Sequence, residues 1–119
     1  MKWQKIEKEL PLAWETLVYY YTKDLYNNDA RKYVGVEWVE TMIQDRCLYD
    51  FFDEQGLFVE IGFGYESKLQ KITWDYGITP LGFDYQTDWD INFKTRPEAE
   101  TAAFEKAFEI LEKQIVSKK

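Results

Sequence analysis

The side chains in this sequence that could do chemistry are carboxylates, and they fall into two groups. The first, around one predicted turn, comprises Asp50, Asp53, Glu54 and Glu60, and the second, further along the chain, comprises Asp75, Asp84, Asp88 and Asp90. Paired carboxylates serve as acid and base in glycoside chemistry or as ligands for a hard cation. The second group lacks the spacing and the distal glutamate of a calcium loop, so its members are predicted to be solvated surface and turn residues.

The composition excludes several other kinds of site. The 119 residues include no histidine and one cysteine, Cys47, which excludes histidine-based catalysis, disulfides within the chain and the common Cys/His zinc sites. Gly62 and Gly64 resemble part of a phosphate-binding loop, but no third glycine follows, which favours a bulge or a close backbone approach. We therefore predict no enzyme activity, no metal site and no cofactor, and we expect Cys47 to be a reduced core residue.

The charge is acidic and unevenly distributed. The net charge is −7, and residues 49–94 contribute nine acidic and three basic side chains, or −6 of that total. A field of this sign repels nucleic-acid phosphate and anionic lipid, so neither is an expected partner. Charged residues interrupt the N-terminal segment where a signal peptide needs an apolar stretch, and no apolar run reaches the roughly 20 residues that span a bilayer. We expect a soluble cytoplasmic protein.

The N-terminal part of the chain has helical periodicity. Apolar residues at steps of three and four predict a helix from Trp3 to Leu25. Pro11 lies within it, so the helix either kinks there or restarts with the proline in a first turn. Asn27 and Asn28 are the predicted stop. A second helix is predicted over Val36–Arg46, although a strand competes for its first residues.

The middle of the chain changes to a period of two. An aromatic-rich segment, Cys47–Phe52, is followed by the turn residues Asp53–Gly56 and by alternation over Leu57–Phe63, which predicts a β-hairpin. The same alternation over Ile72–Ile78 predicts a third strand. Trp89–Phe93 predicts a short fourth strand at an edge. Together these segments predict an antiparallel meander of three to four strands.

The C-terminal helix has the clearest start signal. Thr95 and Glu98 form a capping box with Pro97 in the first turn. The apolar stripe of this helix comprises Ala99, Ala103, Phe104, Ala107, Phe108, Leu111 and Ile115. The predicted fold is a single α+β domain, residues 1–119: N-terminal helices, a three- to four-stranded antiparallel meander, and a C-terminal helix packed on one sheet face.

Aromatic residues point to a binding surface. The 8 Phe, 9 Tyr and 5 Trp are more than one core of this size needs, so some should be exposed. If helices cover one face of the sheet, Phe58 and either Tyr49 or Phe51 lie on the open face; alternatively, they form a second core layer under the N-terminal helices. The predicted binding residues are these three aromatics and an acidic rim of Asp84, Asp88 and Asp90.

Two segments carry a resemblance to a known group of proteins. Leu48–Gly56, together with Thr95–Glu100 running into Ala102–Phe108, resembles small hypothetical proteins encoded by bacteriophages and integrated mobile elements. The resemblance extends over roughly half of the chain, and its motifs are structural, namely a hairpin and a helix start. Because that group has no assigned activity, the resemblance implies a phage or mobile-element setting and carries over no catalytic residue.

The leading hypothesis is a small intracellular interaction module that binds another protein through the open sheet face and its acidic rim. One alternative is a DNA mimic, whose carboxylates occupy the basic site of a nucleic-acid-binding host protein. Another is a ligand-binding or hydrolytic domain that uses pairs of carboxylates. A convex ridge of carboxylates would favour mimicry, whereas two carboxylates converging in a deep pocket would favour a ligand or catalysis.

Overall fold

The computed structural model describes residues 1–22, 35–42, 45–81 and 88–118, which form an α+β structure with an antiparallel sheet. This confirms the predicted α+β class and the antiparallel sheet. In chain order, the elements are α1 (Trp3–Glu9), α2 (Pro11–Thr22), α3 (Val36–Met42), α4 (Asp45–Glu54), β1 (Leu57–Glu66), β2 (Lys71–Pro80), β3 (Asp88–Phe93) and α5 (Arg96–Lys118).

The described chain divides into two compact units. The terminal unit spans Met1–Phe51 and Phe108–Lys119, and the sheet unit spans Phe52–Ala107. The divisions fall inside α4 and inside α5, so each of these helices contributes residues to both units. That residues 1–119 are a single domain stays a prediction.

The first helix ends at Glu9, and Pro11 begins the second. It occupies the first position of α2, where the missing N–H has no helical partner to lose. The N–H of Leu10, which caps α1, donates to the Ile6 carbonyl at 2.9 Å. Of the two alternatives for Pro11, the structure therefore has the restart. The predicted stop at Asn27 and Asn28 lies outside the described residues.

The core of the terminal unit is built from aromatic rings. The ring of Trp3 meets Trp14 at a centroid distance of 6.2 Å and Phe108 at 5.7 Å, both edge to face. The centroid of the Phe51 ring lies 6.1 Å from that of Phe108 and 5.4 Å from that of Tyr20. Such contacts between aromatic rings each add about 0.5–1.5 kcal/mol beyond the burial of their area.

The predicted strand over Cys47–Phe52 is wrong, because these residues lie in α4. Leu48, Phe51 and Phe52 are fully buried, and their spacing of three and then one residues places them on one side of a helix. The aromatic composition suggested a strand, but in so short a segment packing decides between the two periods. Gly56, with φ of +78°, follows α4 in the left-handed conformation, and its N–H donates to the Asp53 carbonyl at 3.0 Å.

The described strands form one antiparallel sheet in the order β1-β2-β3. β1 and β2 pair without interruption from Leu57 opposite Pro80 to Glu66 opposite Lys71. β3 pairs with β2 from Ile78 to Trp74, with a register irregularity between Trp74 and Tyr76. β1 and β2 therefore make a long hairpin, and β3 pairs with the part of β2 from Trp74 to Ile78.

α5 packs on the sheet. In the sheet unit its buried side chains include Ala99, Ala103 and Phe104, and the Phe104 ring stacks on Phe52 at 6.0 Å. The start of the helix is as predicted: the Glu98 N–H donates to Thr95 Oγ1 at 3.3 Å.

Candidate functional site

The structure separates the three aromatic residues that were predicted to share the open sheet face. Tyr49 and Phe51 lie on α4, so their predicted position on a strand is wrong. Phe51 is fully buried among aromatic rings of the terminal unit, and the hydroxyl oxygen of Tyr49 is also buried. Phe58 does lie on the sheet, in β1, and is 38% exposed.

The predicted acidic rim falls only partly within the structure. Asp88 and Asp90 lie in β3, where their backbones pair with Ile78 and Tyr76 of β2. Asp84 and the side chains of Asp88 and Asp90 lie outside the described part of the chain. A role for these three aspartates stays a prediction.

The two faces of the β1–β2 hairpin differ in chemistry. Residues directly opposite each other in an antiparallel pair have side chains on the same face, and alternate residues change face. The polar face includes Phe58, Glu60, Gly62 and Gly64 from β1 and Thr73, Asp75, Gly77 and Thr79 from β2. The apolar face comprises Leu57, Val59, Ile61, Phe63 and Tyr65 from β1 and Ile72, Trp74, Tyr76, Ile78 and Pro80 from β2.

Exposure increases along the apolar face toward the hairpin turn. In β1, Leu57 and Val59 are 0% and 9% exposed, whereas Phe63 and Tyr65 are 68% and 63% exposed. In β2, Ile78 is fully buried and Tyr76 is 5% exposed, but Ile72 is 50% exposed. One end of the face is therefore core, and the other end is surface.

We call the exposed group formed by Phe63, Tyr65, Leu69 and Ile72 the hairpin patch. Leu69, in the turn, is 72% exposed. Phe63 lies directly opposite Trp74, and their rings are 5.7 Å apart. Because uninterrupted strand pairing holds three of the four patch residues, their backbones are already ordered before any partner binds.

The hairpin patch lies in a segment that lacks the acidic excess of the chain. Residues 61–74 contain one acidic residue, Glu66, and two basic residues, Lys68 and Lys71, which gives a formal charge of +1 against −7 for the whole protein. Lys68 and Lys71 are exposed. The patch is thus apolar at its centre and of mixed charge around it.

Comparisons with known proteins identify no relative of this chain. No family model, no curated protein and no solved structure matches the chain.

Our predictions did not identify this surface. They placed Phe63 in a strand but Tyr65 in the connection after it, and they assigned Ile72 to one side of a strand without expecting it to be exposed. No local signal distinguishes the two ends of the strands, because large apolar residues alternate along both strands and only the cover over the face differs.

The glycines of β1 are explained by strand packing. A Cβ atom at Gly62 would lie 2.6 Å from Asp75 Oδ1, so the absent side chain leaves room for the carboxylate opposite it. Gly64 occupies the equivalent position opposite Thr73. The predicted close approach is therefore present at Gly62, and the two glycines lie within a strand rather than before a helix.

A second surface feature lies at the start of α5. An open groove of about 500 Å³ is lined by Phe93, Pro97, Glu98, Thr101, Ala102 and Glu105. One of its two carboxylates already has a partner, because Glu98 Oε2 accepts a hydrogen bond from the Lys94 N–H at 3.3 Å. Within the described ranges, no three His, Cys, Asp or Glu side chains are grouped to hold a metal ion. Nor does any helix in those ranges have the length and apolar character to cross a membrane.

Proposed function

We propose that the protein is a protein–protein interaction module that binds through the hairpin patch. The observation that carries this proposal is the exposure of Phe63, Tyr65 and Ile72 on the same sheet face that is buried at its other end. The largest apolar patch on a soluble protein is typically about 300–600 Å² and is often a functional surface.

The composition of the patch suits a protein partner. Aromatic residues are enriched at the centres of protein interfaces, where they contribute much of the binding energy, and charged residues are more frequent at the rim. Phe63 and Tyr65 would supply the centre, and Lys68 and Lys71 would supply the rim. This surface replaces the one predicted from Tyr49 and Phe51, while the intracellular setting and the mobile-element origin remain part of the proposal through the resemblance.

The test is capture of partners by matched variants. Tagged wild type, the double variant Phe63→Ser/Tyr65→Ser and the control Val116→Ser are incubated with a host lysate, at low and then moderate salt, and bound proteins are identified by mass spectrometry. Val116 is a suitable control because it is an exposed apolar residue outside the patch.

We expect wild type and control to capture the same proteins and the double variant to capture about tenfold less, which corresponds to a loss of about 1.4 kcal/mol. Binding through apolar contacts should persist at moderate salt. Equal capture by all three proteins would contradict the proposal. Capture of basic proteins that is lost with salt and unchanged in the double variant would favour the DNA-mimic alternative instead.

A further inference from the structure

We propose that the partner of the hairpin patch is the hairpin patch of a second copy of this chain, so that the protein forms a two-fold symmetric dimer. This inference rests on the proposed function and names the partner that the binding surface takes. In such a dimer each copy contributes the same residues, and the surface must be complementary to itself.

The sheet offers a suitable geometry for this contact. α5 packs on the sheet, and the apolar face is buried at Leu57 and Ile78. On the same face, Phe63 and Ile72 are exposed. Two sheets pack face to face at about 10 Å with interdigitating side chains. The hairpin of a second copy could therefore cover the exposed end, with its own exposed face directed inward.

The area of the patch is sufficient for a weak dimer. Phe63, Tyr65, Leu69 and Ile72 are each exposed by between 50% and 72%. With roughly 150–250 Å² for a full aromatic side chain and somewhat less for an aliphatic one, the patch offers on the order of 450 Å² per copy. A stable interface buries about 800 Å² per partner. The patch offers about half of that, so the dimer should be transient and should form only at micromolar or higher concentrations.

The local charge opposes self-association less at the patch than in the acidic segments beside it. Residues 61–74 carry +1 and both signs, whereas the other residues of the 49–94 segment together carry −7. Two chains that each carry −7 also repel each other as whole molecules. Salt reduces this repulsion, because charges separated by more than the Debye length, about 8 Å at physiological ionic strength, are largely screened. Dimerisation through the patch should therefore be unchanged or stronger as the salt concentration rises.

The experiment is sedimentation velocity of the full chain from about 5 to about 500 µM, in low and in moderate salt, a range chosen to include the micromolar dissociation expected for a small interface. We expect a monomer–dimer equilibrium that salt does not weaken. Phe63→Glu and Tyr65→Lys should each raise the dissociation constant at least about tenfold. Val116→Glu should leave it unchanged.

The two patch variants separate burial from net charge. Phe63→Glu makes the chain more acidic and Tyr65→Lys makes it less acidic, so a loss of dimer in both is due to the patch rather than to repulsion between whole molecules. Circular dichroism and thermal melting establish that each variant is folded. Wild type that stays monomeric at the highest concentration, assembly beyond a dimer, or a dimer that persists in both folded variants would overturn the inference.

The outcome also distinguishes this inference from the proposed function. If wild type remains monomeric but captures a different protein through the patch, the second copy is the wrong partner and the interaction module stands. If wild type remains monomeric and the double variant captures the same proteins as wild type, both proposals are wrong.

Discussion

At one end of the β1–β2 hairpin, Leu57 and Ile78 are fully buried, while at the other end Phe63 and Ile72 are mostly in water. Both pairs are large apolar residues on the same sheet face, in the same uninterrupted strand pairing. The difference teaches that alternation along a strand determines which side chains share a face. Whether that face becomes core depends on what lies over it, and this changes along a single pair of strands.

The two ends should also differ in what they contribute. Burial of apolar area stabilises a fold by about 25 cal/mol per Å², so the buried end should contribute to the stability of the monomer. The exposed end keeps most of its area in water and can gain that free energy only when a partner covers it. Substitutions at the two ends should therefore affect different measurements.

The largest effect is expected from removing a side chain that α5 contributes to the buried core. Phe104 is fully buried and stacked on Phe52, and Phe104→Ala should lower the free energy of unfolding by about 3–5 kcal/mol because it leaves a cavity. Urea denaturation of the variant and of wild type measures the difference. A loss below about 1 kcal/mol would mean that this part of α5 does not close the core.

A matched pair of isoleucines tests the comparison directly. Ile78→Ala at the buried end should cost about 2–5 kcal/mol, whereas Ile72→Ala at the exposed end should cost less than about 1 kcal/mol. Both residues lie in β2 on the same face, so the side chain removed is the same and the main difference is burial. Similar losses for the two variants would contradict the assignment of a buried and an exposed end.

The smallest effect is expected at the start of the helix that packs on the sheet. Thr95→Ala removes the side chain that accepts a hydrogen bond from the Glu98 N–H, and it should cost about 1 kcal/mol by chemical denaturation. Thr95→Ser keeps the acceptor and serves as the control. If serine and alanine destabilise equally, the cap contributes nothing and the loss comes from the missing methyl group.

Local signals in the sequence predicted several elements well. The capping box at Thr95 marks the start of α5, and the stripe from Ala99 to Leu111 is buried along the helix. The alternation in β1 and β2 is present in the paired strands. These predictions succeeded because capping and periodicity depend on residues close together in the chain.

The failure at α4 has a physical reason. Over Cys47–Phe52 the composition favours a strand, while the spacing of Leu48, Phe51 and Phe52 also fits a helix, and a short apolar segment does not distinguish them. In the structure this spacing brings all three side chains into buried positions. The prediction that Tyr49 or Phe51 binds a partner on an open sheet face required both residues to lie in a strand. They lie in α4 instead, so neither is on the sheet.

Contacts between distant residues were also beyond prediction. Glu112 lies in α5, 99 residues along the chain from Ala13. In the structure its carboxylate accepts hydrogen bonds from the N–H groups of Leu12 at 3.3 Å and Ala13 at 2.6 Å. It thereby satisfies unpaired donors at the start of α2, where the helix dipole also favours a negative charge.

By itself the sequence determined the α+β class, the helix start at Thr95, the interruption at Pro11 and the residues that share each face of the hairpin, because these depend on neighbours within a few positions. The tertiary structure alone decided that Pro11 restarts a helix, that Phe51 is core in α4, and that Phe63 and Tyr65 are surface. The physical reason is that burial depends on what the rest of the chain places over a side chain, and no local pattern encodes where that cover ends.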